Sequence, residues 1–239
     1  MTAAPSQETC APEDFEFAAL GEAVNYRNAL IREFTPVLSG RVLEVGAGIG
    51  QMSALIRQLP NVSELVAVEP DERFSERFRR AAPDVRLVNG TVEAIGGENA
   101  WNAILSINVL EHIENDRSEL GRYRRLLAPQ RGALCLFVPA RPEIYAPIDK
   151  DFGHFRRYTR GELKGKLLDA GFQVIRLRYF NLIGYFGWWW TFRVRKKRTF
   201  NPSTVRLFDR RIFPLTSAIE RLLPPPPLGQ SLIAVARPA

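Results

Sequence analysis

Two carboxylic acids and two histidines are the residues best placed to do chemistry in this chain. Glu44 lies in Val42-Leu-Glu-Val-Gly-Ala-Gly-Ile-Gly50, an apolar run that feeds a glycine-rich turn. A turn of that kind lets a ligand approach the backbone closely. The acid just before it suits a ligand with a cationic amino group better than a pyrophosphate. The last position of a GxGxxG spacing counted from Gly46 is Gln51, not glycine, which also argues against a dinucleotide. Glu69 closes the next apolar run, where a carboxylate can hold both hydroxyls of a ribose; its plainer reading is a solvated strand end. His112 and His154 are the only histidines. Histidine titrates near working pH, so either can serve as a general base. His154 sits in a dense polar cluster with Asp149, Asp151, Arg156, Arg157 and Tyr158. The plainer readings are a packing role for His112 and, for the cluster, a surface loop whose arginines pair with its acids.

These residues need elements to hold them. Short apolar runs are expected as strands at 41–45, 65–68, 85–88, 103–106, 133–138, 174–180 and 231–236. Helical spacing runs from Glu13 to Phe34, with Phe17, Leu20, Val24, Leu30, Ile31 and Phe34 as buried positions. Further helices are expected at about 51–58, from an Asp71 cap to about Arg80, at 118–127, and from Thr159, with Glu162 completing a capping box, to Ala170-Gly171. Strands alternating with helices predict an α/β fold, a Rossmann-like doubly wound sheet of seven strands, mostly parallel. The runs 41–45, 65–68 and 103–106 place Glu44, Glu69 and His112 at or just beyond carboxyl ends, where ligands bind in open sheets. Residues 1–12 are expected to be disordered, and 13–239 to form one domain. Residues 181–228 lie between the last two strands as a basic, aromatic, proline-rich cap.

Length and composition agree with this. The chain has 239 residues, 46% hydrophobic and 25% charged, which excludes disordered, collagen-like and coiled-coil classes. Cys10 and Cys135 cannot form a disulfide framework and fit a reducing compartment. No apolar run approaches the ~18 residues of a membrane-spanning helix, and the N-terminus lacks the pattern of a signal peptide. The expected setting is the cytoplasm. The net charge of +7 is local: Arg176 to Arg211 holds ten Arg/Lys and one acid.

At this level the sequence resembles the class I S-adenosylmethionine-dependent methyltransferases, from about Asn25 to Ala236. LEVGAGIG looks like the family's first motif, AVEP like its second, and SINVLEHIEND like the segment after the fourth strand. LLAPQRGALCLFVPA resembles the helix-turn-strand that follows. DFGHFRRYTRGEL with AGF and YFNLIG is similar to a bacterial subgroup of unassigned methyltransferases, some of them placed among sugar- and lipid-modifying genes, which implies a small-molecule, lipid-linked or sugar-linked acceptor. The resemblance implies S-adenosylmethionine as cofactor and an antiparallel last strand. Gly46, Ala47, Gly48 and Gly50 would pass its methionine part, Glu44 its amino group, and Glu69 with Pro70 its ribose. Thr91, where the family usually has Asp, and the Val92 amide would meet the adenine. Asn108 and Val109 would line the methionine end, and Tyr26 with Arg27 would close over the cofactor. His112, His154, Arg157 and Tyr158 are the catalytic candidates for an in-line transfer, most simply to oxygen. Related enzymes bind a divalent ion through a Glu-x-x-Glu-His run; here it reads Asn108-Val-Leu-Glu-His112, so no metal is assigned.

Residues 179–198 combine Trp188-Trp-Trp190 and further aromatics with Arg193-Val-Arg-Lys-Lys-Arg198. Two readings stand. Rings at headgroup level beside cations would give peripheral contact with the inner face of a membrane. Alternatively the aromatics pack beneath the cap and form the acceptor pocket. Nucleic acid is disfavoured, because Ser106-Ile-Asn-Val109 lacks the Asn/Asp-Pro-Pro-Tyr/Phe run of base methyltransferases. The alternatives to methyl transfer are a non-catalytic cofactor-binding scaffold and an NAD-linked oxidoreductase.

Overall fold

The computed structural model describes residues 21–96, 100–199, 201–222 and 224–239. The expected N-terminal disorder, Phe17, Leu20 and Cys10 lie outside them. The chain alternates as expected. Helix α1 (Val24–Phe34) leads to β1 (Gly40–Val45), α2 (Gln51–Ile56), β2 (Val62–Glu69), α3 (Ser75–Ala81) and β3 (Arg86–Asn89). Then come β4 (Ala103–Ile107), α4 (Asp116–Leu127), β5 (Ala133–Pro139), α5 (Pro147–Asp151), α6 (Arg160–Asp169) and β6 (Phe172–Phe180).

The seven strands form one sheet in the order β3-β2-β1-β4-β5-β7-β6, closed in sequence by β7 (Ser231–Pro238). β3, β2, β1, β4 and β5 run parallel, and β7 is antiparallel to both neighbours. The order reverses between β1 and β4, which opens a crevice beyond their carboxyl ends. β5 is buried at every position, as a central strand covered on both faces must be. One apolar layer gathers Leu43, Ile104, Leu136 and the α4 residues Leu120 and Tyr123. The other gathers Val42, Leu105 and Phe137 with Leu30, Ile31 and Phe34 of α1.

One expectation needed correction. Val24 is half exposed rather than buried, because α1 starts there after a break at Ala23. The helix start is satisfied from far away: the Asp209 carboxylate accepts the Asn25 and Tyr26 amides at 2.9 and 2.8 Å, taking up donors that a first turn leaves orphaned. The cap is also more regular than its prolines suggest. It forms α7 (Leu182–Trp188), which continues as π-helical turns over Trp189–Val194, and α8 (Pro202–Leu207), which continues through π-helical Phe208–Ile212 into α9 (Phe213–Leu222). Pro202 falls in the first turn of α8, where a missing N–H costs nothing.

Candidate active site

The turn after β1 is shaped by what lies against it. Gly46 has φ +71°, and a Cβ there would meet Val109 Cγ2 at 2.3 Å. Gly50 at φ +82° would press on Phe78. The turn thus takes left-handed backbone that glycine alone adopts freely. It is tied to the neighbouring strand by the Gly46 and Ala47 amides, which donate to the Val68 carbonyl.

Glu44 and Glu69 stand on adjacent strands, both buried. Glu69 accepts the Gly48 amide at 2.7 Å and the Asp71 amide at 3.0 Å, one on each oxygen. It thereby clamps the glycine turn onto the end of β2, and each oxygen keeps a lone pair for an incoming hydroxyl. Burial raises its carboxyl above the ordinary value. Glu44 is bonded by the Ser53 hydroxyl from α2. Burial, helped by the neighbouring Glu69 charge and opposed by that bond, pushes its carboxyl up to about 8. A buried acid held neutral gains from a cation placed beside it. The cradle of small residues, an acid poised for a cation and an acid with two free lone pairs fit S-adenosylmethionine, which carries an ammonium, a sulfonium and a ribose.

Thr91 is exposed and its hydroxyl makes no bond to the turn it precedes, while the Val92 side chain packs in the core. Only the Val92 amide is left to meet a ligand. Pro70 is exposed at the rim. Asn108 adopts φ +51° and donates its amide to the Phe137 carbonyl, turning the chain off β4. Tyr26 packs edge-on against Phe137 and Phe180, by the ends of β5 and β6. It therefore stands on the β5 side of the crevice, across from Glu44 and Glu69.

The two histidines meet. Their rings lie 4.6 Å apart, nearly perpendicular. His154 is held by Asp149, with Nδ1 3.1 Å from Oδ1. A carboxylate only accepts, so Nδ1 carries the hydrogen. Gly153, at φ +76°, lets the chain turn so that the His154 amide donates back to the Asp149 carbonyl. The Phe155 amide then donates to the Glu111 carbonyl, which fixes the loop against the turn after β4. Burial alone would raise the Asp149 carboxyl; bonds from His154, Arg157 and the Ala146 amide hold it below the ordinary range. His154 Nε2 is buried and has no hydrogen-bond partner among the described residues. It faces Glu111 Oε1 at 4.0 Å. His112 is the more open of the pair. Burial, then the charge of His154, pushes it down to about 4, so it is neutral at working pH.

Arg157 and Tyr158 take inner places. Arg157 is buried, bonded to Asp149 and the Ala140 carbonyl, and stacked 4.4 Å over Trp188. The Tyr158 hydroxyl reaches the Asp116 carboxylate at 2.8 Å and the Leu110 carbonyl at 3.2 Å. Both side chains are spent on orienting the two loops. Glu111, His112 and His154 each bring one ligand-type atom within 4.8 Å of the others. The position a helical turn before Glu111 is Asn108, so no second acid of the run joins them. Ser53 and the orienting role of Asp149 escaped sequence reading. The only signal was the five-residue step from Asp149 to His154 across a glycine.

A family model described as a methyltransferase domain matches residues 21–177, well over half of the chain. The chain belongs to this methyltransferase family. Solved structures resemble the methyltransferase over most of its length. An S-adenosylmethionine-dependent methyltransferase from Mesorhizobium loti is 16% identical, with TM-score 0.62, covering 90% of this chain and 99% of its own. A TehB-like methyltransferase from Corynebacterium glutamicum is 15% identical, with TM-score 0.57, covering 94% and 93%. The YcgJ protein from Bacillus subtilis is 18% identical, with TM-score 0.55, covering 88% and 95%. At these identities the likeness speaks for the fold. No curated protein matched the sequence.

Proposed function

We propose that this methyltransferase transfers a methyl group from S-adenosylmethionine to a hydroxyl oxygen of a small-molecule or a lipid- or sugar-linked acceptor. Bound S-adenosylmethionine, the expected cofactor, supplies an electrophilic methyl on sulfur. The glycine turn, Glu44 and Glu69 hold it. The Asn108 and Val109 backbone bounds its methionine end, and the Val92 amide its adenine end. Tyr26 then stands toward the acceptor.

The observation that carries the oxygen assignment is the His112–His154 pair backed by Asp149. A hydroxyl must lose its proton as the O–CH₃ bond forms, and the protein has to receive that proton. His112, on the open side, meets the hydroxyl. His154, with Nδ1–H bonded to the Asp149 carboxylate, stabilises the charge the pair takes up. Arg157 and Tyr158 keep Asp149 and the β4 loop in place.

The test is transfer of labelled methyl from S-adenosylmethionine into bacterial lipid and sugar-phosphate fractions. Label entering a fraction with wild-type protein, lost with His154→Ala and released as methyl iodide by hydriodic acid, supports the reading. Label that resists hydriodic acid, or that His154→Ala leaves unchanged, overturns it. The Glu111, His112 and His154 triad favours a second reading, in which two imidazoles and a carboxylate hold a divalent ion. A chelator separates the two.

A further inference from the structure

We propose that the outward face of the cap, 182–222, docks on an anionic lipid surface. Fourteen large apolar side chains are exposed among the described residues, and ten of them fall between Ile183 and Leu222. They are ordered. Ile183, Phe186, Trp189, Trp190 and Val194 recur at helical spacing along α7 and its π-helical extension. Leu207, Ile212, Leu215, Ile219 and Leu222 form a second stripe. The step of five from Leu207 to Ile212 crosses the π-helical turns, where about one turn takes that many residues, so the stripe stays in line. The later steps of three and four keep it on one side of α9. α9 packs beside α7, which sets the two stripes together. An apolar face of this extent turned to water marks a contact surface.

Charge selects the partner. Residues 181–228 carry nine Arg/Lys and two acids, so the +7 of the whole chain resides here. Arg193, Arg195, Lys196 and Lys197 are exposed on and just after the π-helical extension of α7, Arg210 and Arg211 on the π-helical turns before α9, and Arg221 on α9. Neither acid dilutes them. Asp209 is buried under the α1 start, and Glu220 accepts the Leu182 amide at 2.8 Å. Trp, Leu and Ile beside cations match a bilayer surface, with rings and aliphatic groups at the acyl boundary and cations on the headgroups. A second copy fits less well, since a two-fold contact would set one cationic face on another. No helix among the described residues is long and apolar enough to cross a membrane, so the cap lies on the surface.

The inner side of α7 points the other way. Trp188 and Phe192 pack with Ile148 and Phe152 at α5, the element that carries Asp149. The two readings of the aromatic segment therefore apply to opposite faces of one helix. Docking would set the lipid surface next to the histidine loop. The docking does not depend on the methyl-transfer reading, which only adds that a lipid-linked acceptor would be at hand.

The experiment is co-sedimentation of the full chain with phosphatidylcholine vesicles, with and without phosphatidylglycerol. Wild-type protein should pellet with the mixed vesicles and not with pure phosphatidylcholine. Each surface cation contributes about fivefold, so Lys196→Gln with Lys197→Gln should weaken binding roughly 30-fold. Trp190→Ser with Leu215→Ser should release the protein from anionic vesicles. Both double variants change exposed positions and should keep the wild-type circular dichroism and cofactor-product affinity. Wild-type protein that stays in the supernatant with anionic vesicles overturns the proposal. So does a concentration-dependent dimer, abolished by Leu215→Ser, that binds no vesicle.

Discussion

Glu44→Gln tests the most specific electrostatic statement about the site. The Glu44 carboxyl is pushed up to about 8 in the folded chain, against 4.5 for an ordinary one. Between those values the folded protein holds a proton that the unfolded chain has released. The unfolded state thus binds fewer protons, and stability falls as pH rises. The slope is at most ~1.4 kcal/mol per pH unit, so the loss between about pH 6 and about pH 7.5 is ~2 kcal/mol. The amide that replaces the carboxyl has no proton to lose and still offers Ser53 an oxygen. The stability of Glu44→Gln relative to wild type should therefore rise by ~2 kcal/mol over that interval. Urea unfolding of both proteins at the two pH values, followed by circular dichroism, reads it. Parallel pH profiles would show that Glu44 does not carry a raised pKa in the folded chain. The ligand supplies a second arm. The ammonium of S-adenosylhomocysteine favours the ionised acid, so binding near neutrality should release close to one proton per site. Calorimetry in buffers of different ionisation enthalpy measures that release, and Glu44→Gln should abolish it.

Three other outcomes are expected. Glu69→Gln should weaken S-adenosylhomocysteine roughly 10- to 100-fold, since hydrogen bonds to a charged group contribute about 1.5–3 kcal/mol; unchanged affinity in a calorimetric titration would remove Glu69 from the ribose site. His154→Ala should lower methyl transfer by about 10²–10⁴-fold while leaving product affinity near wild type; parallel losses in both would return His154 to a structural role. Chelator treatment should leave transfer unchanged, and a loss restored by a divalent ion would make Glu111, His112 and His154 a metal centre.

What could be read from the sequence was what is local. The strand, glycine turn and acid around Glu44 are contiguous, and close backbone approach needs glycine itself, so chemistry and spacing coincide. The alternation of strands and helices follows from periodicity, and every expected strand exists within a few residues. Ser53 was hidden because a serine on a helix announces nothing until the strand beneath it is known. Asp209 was hidden more deeply, since it caps residues 184 positions away. His154 and its polar neighbours stood out, but sequence could not show that Arg157 and Tyr158 turn inward while the two histidines meet. The cap was hardest. Its apolar spacing is helical, yet spacing does not say which stripe packs on the body, and the π-helical turns shift the register midway.

The most direct test of the account is calorimetric titration of the purified chain with S-adenosylhomocysteine, the product left by any methyl transfer from this cofactor. Micromolar binding at one site per chain, strongly weakened by Glu69→Gln, is expected. No binding by protein shown to be folded would contradict it.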